Sequence, residues 1–305
     1  MKTLSNNNFK LASDFLKTHG RKLDYAMYQY FFEGRPSDQA ILELESYQNS
    51  DGGFGKCLEP DFRLAESSPM ATSVALGLAV DLGLDKNHQL VKNAMTYYQN
   101  TLDREFLYWF QTPKEIDLVP RAPWWSFDSS HGGKEGGDAW ANPSAEILAQ
   151  MIYFEGIDPS TLAKLCAKAE KELGNCGEPI EMHSLLCFLK LYNLSDFKNS
   201  KNWTDKLVNQ SQKNITTTEK DWEGYGLRPH WVIDSPAHFL YSHFEDAIER
   251  SLDFEINAQT NEGAWYPFWS WGEPSPHWDQ AKIEWASFLT LKMLRVLKNF
   301  NRIQE

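Results

Sequence analysis

The amino-acid sequence predicts an all-α fold laid out as a double ring of helices, and three observations carry that reading. Apolar residues recur at spacings of three and four along most of the chain, the mark of helices with one buried face. Strand signals are scarce: Val and Ile are few, and no NG or DG turn sits between alternating apolar runs. The predicted helices also alternate in character, an apolar or small-residue-rich one followed by an amphipathic one. Such alternation suits an inner ring buried on most sides inside an outer ring that is half exposed.

Taken in order, Leu11 to Thr18, Leu23 to Phe32 and Gln39 to Tyr47 read as helices from their spacing. Ser68-Pro69 then opens an apolar helix, because a capping residue followed by Pro at the first helical position marks a helix start. The same signature recurs at Asn142-Pro143, Glu178-Pro179, Ser235-Pro236 and Ser275-Pro276, ahead of the other predicted inner helices. Between them lie amphipathic stretches such as Lys86 to Gln99 and Pro159 to Leu173, within which Gln89 to Tyr98 and Leu162 to Leu173 show the helical spacing; Ala145 to Phe154 continues from Pro143. In a ring with parallel inner helices, the loops before those prolines emerge at one rim, the mouth of a central cavity.

Composition limits what the chain does. Its 305 residues are 42% hydrophobic and 24% charged, which describes a folded globular protein, read here as one domain over residues 1–305. Acidic residues outnumber Lys and Arg by 42 to 30, so the formal charge of −12 argues against nucleic acid as a partner. The amino-terminal stretch has no secretory pattern, and no apolar run reaches membrane-spanning length. The four cysteines form no CxxC pair and read as free thiols, which places the protein in the cytoplasm by expectation. Twelve Trp, with twelve Tyr and eighteen Phe, exceed ordinary packing needs and predict an aromatic-lined cavity.

An internal repeat sharpens the fold. Gln48 to Phe54 and Gln259 to Trp265 share the pattern Gln, three residues, Gly, one residue, aromatic, and each precedes a Ser-Pro helix start. The pattern resembles the QW repeat of squalene and oxidosqualene cyclases. The stretch from Asp51 to Gly83 is similar to the repeat unit of protein prenyltransferase β subunits. This resemblance implies the α/α toroid of the terpenoid cyclases and prenyltransferases, with about 10–12 helices in two rings. It also implies structural roles: Gln48 and Gln259 tie the end of an outer helix, while Phe54 and Trp265 pack on the next one.

The catalytic motifs of those families are missing. There is no DxDD run for protonating an alkene, no DDxxD run for magnesium and no Asp-x-Cys pair for zinc. Asn175-Cys176-Gly177-Glu178-Pro179 comes near the thioester element of complement-like toroids, but Pro179 stands where the acyl-donor Gln is needed. Neither HExxH nor a phosphate-binding glycine loop occurs, so neither a metal nor a cofactor is expected.

Candidate chemistry therefore rests on the rim loops. Glu59, Asp61 and Arg63 place two carboxylates and a guanidinium within five residues, which suits a general acid with a tuned proton affinity and equally suits a loop ion pair. Trp124, Trp125, His131, Asp138 and Trp140 belong to a glycine-rich loop. There Asp138 is the next candidate acid, while the rings offer a cation-stabilising wall or a sugar platform or merely pack the edge. Arg228, His230, Trp231 and Asp234 form a third group, with Asp234 also placed to serve a helix start. Trp269, Trp271, His277, Trp278 and Asp279 form the fourth and most aromatic one.

Three functional readings follow. The first is a toroid enzyme acting on an apolar, isoprenoid-like small molecule by carboxylic acid protonation, with Asp61, Glu59 or Asp138 as the acid. The second is a carbohydrate-active α/α barrel of glycosidase or lyase type, in which Trp platforms and paired carboxylates meet a sugar. The third is a non-catalytic binding toroid. If Glu59, Asp61, Asp138, Asp234 and Asp279 gather at one mouth, an anionic substrate is disfavoured.

Overall fold

A computed structural model of the chain describes residues 1–127 and 136–304. Among these residues it contains thirteen α-helices and no strands. In chain order they are α1 (Asn6–Thr18), α2 (Lys22–Glu33), α3 (Asp38–Glu45), α4 (Pro69–Asp81), α5 (Gln89–Thr101), α6 (Gly137–Tyr153) and α7 (Pro159–Asn175). After them come α8 (Met182–Leu194), α9 (Lys201–Asn214), α10 (Glu219–Trp222), α11 (Pro229–Val232), α12 (Tyr241–Ala258) and α13 (Pro276–Asn299). The chain divides into two compact units, Leu44–Asn214 and a second made of Met1–Glu43 with Ile215–Glu305.

In the unit Leu44–Asn214, α4, α6 and α8 pack in succession, and each also packs on the helix that follows it. The expected alternation of character is present here. Helix α4 is buried almost all round, at Ala71, Thr72, Ser73, Ala75, Leu76, Leu78 and Ala79, whereas α9 buries only the stripe Trp203, Leu207, Gln210 and Ser211. Burying one Leu side chain in this way contributes about 1.5–3 kcal/mol. Buried polar groups are satisfied across the layer: Tyr98 of α5 donates to Gln150 Oε1 of α6 at 2.8 Å, and Gln150 Nε2 donates to the Ser73 carbonyl of α4 at 2.8 Å.

In the other unit α13 packs against α1 and α2, while α12 takes α10 and α11 on its surface. The chain ends meet there. Leu4 and Ile303 form a parallel bridge, Leu4 N–H donates to the Arg302 carbonyl at 2.7 Å, and Arg302 pairs with Glu249 at 2.5 Å.

The two Gln loops make equivalent bonds. Gln48 Nε2 donates to the carbonyls of Gly52 at 2.9 Å and of Leu90, in the first turn of α5, at 3.0 Å. Gln259 Nε2 donates to Gly263 at 2.9 Å and to Asn8, in the first turn of α1, at 3.0 Å. Phe54 N–H then donates to Thr72 Oγ1 of α4 at 2.9 Å, and Trp265 N–H to Thr290 Oγ1 of α13 at 3.1 Å. Both central glycines have left-handed φ, +90° at Gly52 and +93° at Gly263, and both press on the neighbouring helix. A Cβ would lie 2.3 Å from the Asn93 carbonyl oxygen in one and 2.3 Å from the Leu11 carbonyl carbon in the other. Helix α1 thus stands to the loop before α13 as α5 stands to the loop before α4.

Three proline starts differ from expectation, each for a local reason. Helix α6 begins at Gly137 and breaks at Asn142 (φ −100°, ψ 104°), so Pro143 opens only its regular part. Pro179 lies three residues before α8, because Ile180 N–H is used by Gln210 and Glu181 becomes the cap, accepting from Ser184 N–H at 2.9 Å. Pro236 opens turns, and helix begins only at Tyr241, with a break at Phe244 (φ −133°, ψ 16°). The segment after it is consequently the amphipathic α12 rather than an apolar inner helix.

Candidate functional site

The most developed site lies in the unit that carries both chain ends. A pairing of Thr216 N–H with the Leu227 carbonyl at 2.9 Å closes the loop between them, and Trp222 Nε1 anchors it on the Thr216 carbonyl at 3.0 Å. Arg228 leaves this loop in extended conformation and precedes Pro229, whose fixed φ starts the single turn α11. Arg228, His230 and Trp231 thereby face Glu255, which occupies the buried stripe of α12 with Ile248, Ser251, Leu252 and Ile256.

These residues border a cavity of about 300 Å³. Its walls are aromatic, formed by Trp222, Trp231, Phe254, Trp265, Tyr266 and Phe268. Its polar lining is Glu223, Arg228, His230, Glu255 and Lys292, and Leu289 and Met293 of α13 close it. Such a volume holds one small ligand.

Electrostatics single out Glu255. Its side chain is buried, and Arg228 Nη1 donates to its Oε1 at 2.6 Å, while Arg228 Nη2 donates to the Trp222 carbonyl. Burial raises the Glu255 proton affinity above that of an ordinary carboxyl, and the Arg228 guanidinium only partly offsets it. The guanidinium also lies 4.4 Å from the Phe268 ring centre. His230 is buried, with Nε2 3.8 Å from Glu255 Oε1, and burial together with the charges of Lys292 and Arg228 pushes its pKa well below the usual imidazole value. It is therefore neutral at pH 7. Two nitrogens of this group, His230 Nδ1 and Arg228 Nε, are buried without a hydrogen-bond partner. The arrangement sets a carboxyl of raised proton affinity in an aromatic wall.

Of the residues expected from sequence, Arg228, His230 and Trp231 meet at this cavity. Trp269 packs on Trp231 with ring centres 6.1 Å apart and on Trp285 at 5.1 Å, so it supports the wall from behind. Trp271 and Trp278 pair with each other at 5.9 Å. Asp234, His277 and Asp279 are exposed and do not line the cavity.

The remaining candidates belong to the unit Leu44–Asn214. Glu59 and Asp61 are buried in one loop, where Asp61 N–H donates to Glu59 Oε2 at 2.5 Å. The backbone pairs with Pro120 to Ala122: Arg63 N–H meets the Pro120 carbonyl at 2.9 Å, and Ala122 N–H the Asp61 carbonyl at 2.7 Å. Trp125 packs edge-on to Phe62 at 5.4 Å, while Trp124 is half exposed. Asp138 sits in the first turn of α6, and its carboxylate accepts the N–H groups of Gly177 and Glu181, both at 3.1 Å, tying down the loop before α8. Trp140 is fully buried against Phe188, with Nε1 donating to the Leu107 carbonyl at 2.7 Å. His131 lies outside the described residues.

Sequence reasoning missed Glu255 and Lys292. The available signal was register: each is a charge set among the apolar positions of a long helix, Glu255 beside Leu252 and Ile256, Lys292 between Leu291 and Met293. Among the described residues no cluster of three or more His, Cys, Asp or Glu side chains is arranged to hold a metal ion, and no helix is long and apolar enough to cross a membrane. No protein-family model, no curated protein and no solved structure matches the chain.

Proposed function

We propose that the chain is an enzyme that cleaves a small carbohydrate-like substrate by proton donation from Glu255 inside the aromatic cavity of Arg228, His230 and Trp231. The observation that carries this reading is the buried Glu255 carboxyl, its proton affinity raised, set in an aromatic wall. Glu223, exposed at the same cavity, supplies the second carboxylate that glycoside cleavage needs. Glu255 protonates the glycosidic oxygen as the C–O bond breaks, a water adds to the sugar carbon, and Glu223 takes up the proton that water releases. The rings favour the cationic transition state and the apolar face of the sugar.

An isoprenoid substrate, the other reading of an acid in an aromatic chamber, fits this cavity less well. Its chain would cover His230 Nδ1 and Arg228 Nε without offering either a hydrogen bond, which costs about 1–3 kcal/mol for each group stranded. The proposal includes the α/α toroid, supported by the matching bonds of the two Gln loops and by the place α1 takes beside the loop before α13.

The test is turnover of a panel of nitrophenyl glycosides by the wild type and Glu255→Gln. Turnover of one member that falls about 10²–10⁴-fold in the variant, with unchanged circular dichroism, is expected for loss of a general acid. Full activity in Glu255→Gln overturns the assignment, and turnover of a prenyl substrate but no glycoside favours the isoprenoid reading.

A further inference from the structure

The unpartnered nitrogens of the cavity say something about the ligand beyond its being a sugar. His230 is 2% exposed and Arg228 9%, and each keeps one buried nitrogen, Nδ1 and Nε, that no protein atom satisfies. Buried polar atoms of this kind are ordinarily paired, so two of them in neighbouring side chains of one cavity wall mark the place of a missing partner. Arg228 Nε can only donate, and a neutral imidazole with its proton on Nδ1 donates as well. An acceptor is the partner that Arg228 Nε requires, and it satisfies His230 as well in that tautomer.

Its charge follows from the surroundings. Lys292 lines the same cavity from α13, with its ammonium 5.2 Å from the Trp231 ring centre. Lys292 and Arg228 both act on His230 in one direction, lowering its affinity for a proton, so the potential at the imidazole is positive. An anion is favoured there, and a carboxylate brings the acceptor oxygens that the unpartnered nitrogens lack. A dianionic phosphate would bring a third oxygen and a second charge into a lining that already holds Glu223 and Glu255.

We infer that the cavity selects a sugar acid, whose single carboxylate lies against Arg228, His230 and Lys292 while its ring meets the aromatic wall. This inference rests on the carbohydrate reading above. It departs from the expectation of a site that disfavours anions, because Asp234 and Asp279 lie at the surface and not in the cavity lining.

Isothermal titration of the full chain with matched pairs, glucose with glucuronate and galactose with galacturonate, tests it, with acetate and inorganic phosphate as bare anions. In at least one pair the uronate should bind about tenfold or more tightly than its neutral partner, the scale of one charge-assisted hydrogen bond. Acetate should compete with that uronate more strongly than phosphate does. Lys292→Met, or Lys292→Gln if the first variant loses its helical signal, should bring the uronate to within about twofold of the neutral sugar. In the wild type the His230 ring ¹⁵N signals should move with uronate and stay in place with the neutral sugar. Equal binding within both pairs, or tighter competition by phosphate, overturns the sugar-acid inference and leaves the carbohydrate reading standing. Absence of binding by all four sugars removes both.

Discussion

Removing the guanidinium of Arg228 probes the site most severely, because it leaves a buried carboxyl without its cation. Arg228→Met keeps a long apolar stem against Phe268 and Phe254, so the change is mainly electrostatic. The variant loses the 2.6 Å bond to Glu255 and the bond to the Trp222 carbonyl, and breaking one side of a buried ion pair costs about 3–5 kcal/mol. The loss has a definite pH dependence. In the folded wild type the Glu255 pKa is already raised, and without Arg228 it rises further. A raised folded pKa contributes stability that is present below the unfolded value and lost as pH rises through the folded one. Both proteins lose stability in parallel until wild-type Glu255 ionises in the folded state; above that pH the destabilisation should grow by as much as ~1.4 kcal/mol per unit until Glu255 of the variant ionises too. Adding Glu255→Gln should recover most of the loss, since no buried charge is then left unpaired. Urea unfolding followed by circular dichroism at several pH values reads all three variants. A loss below about 1 kcal/mol that does not change with pH, or a double variant as unstable as the sum of the singles, refutes the reasoning.

Other outcomes follow from the same structure. Gly263→Ala places a Cβ 2.3 Å from Leu11 backbone at a left-handed φ and should cost about 2–4 kcal/mol in urea unfolding; Gly52→Ala against Asn93 should cost a similar amount. Asp138→Asn leaves a single amide oxygen where two carboxylate oxygens accept Gly177 and Glu181, which should destabilise by about 1–3 kcal/mol and raise amide exchange over residues 177–181. His230 has a depressed pKa, so its contribution to stability is present above about pH 6.5 and lost as pH falls from there toward the folded value. His230→Gln should flatten the stability profile in that window by up to ~1.4 kcal/mol per unit, measured by urea unfolding between pH 5 and 8.

The helices were largely legible because their signals are local. Ser68 and Ser275 cap α4 and α13 through their own side chains, accepting the N–H groups of Ala71 and His277, and Pro follows each. The starts at Pro179 and Pro236 were misplaced because their outcome is set at a distance, at Pro179 by Gln210 taking the Ile180 N–H. Helix α9 escaped notice since its buried stripe is half polar, with Gln210 and Ser211 continuing Trp203 and Leu207. At the site, Arg228, His230 and Trp231 were visible as a cluster in one loop. Glu255 and Lys292 were not, since each sits alone in a long helix and meets that loop only through tertiary packing. Local sequence also could not separate Trp231, which lines a cavity, from Trp140, whose indole is spent on the Leu107 carbonyl in a packed core.

Everything proposed for the site depends on Glu255 being the residue that holds a transferable proton. Specific ¹³C labelling of the glutamate side chains, with Glu255→Gln to assign the signal, gives its pKa directly by NMR titration. The expected value lies clearly above the ordinary glutamate value of 4.5, because burial outweighs the Arg228 charge. A Glu255 carboxyl that titrates at or below 4.5 would contradict the account.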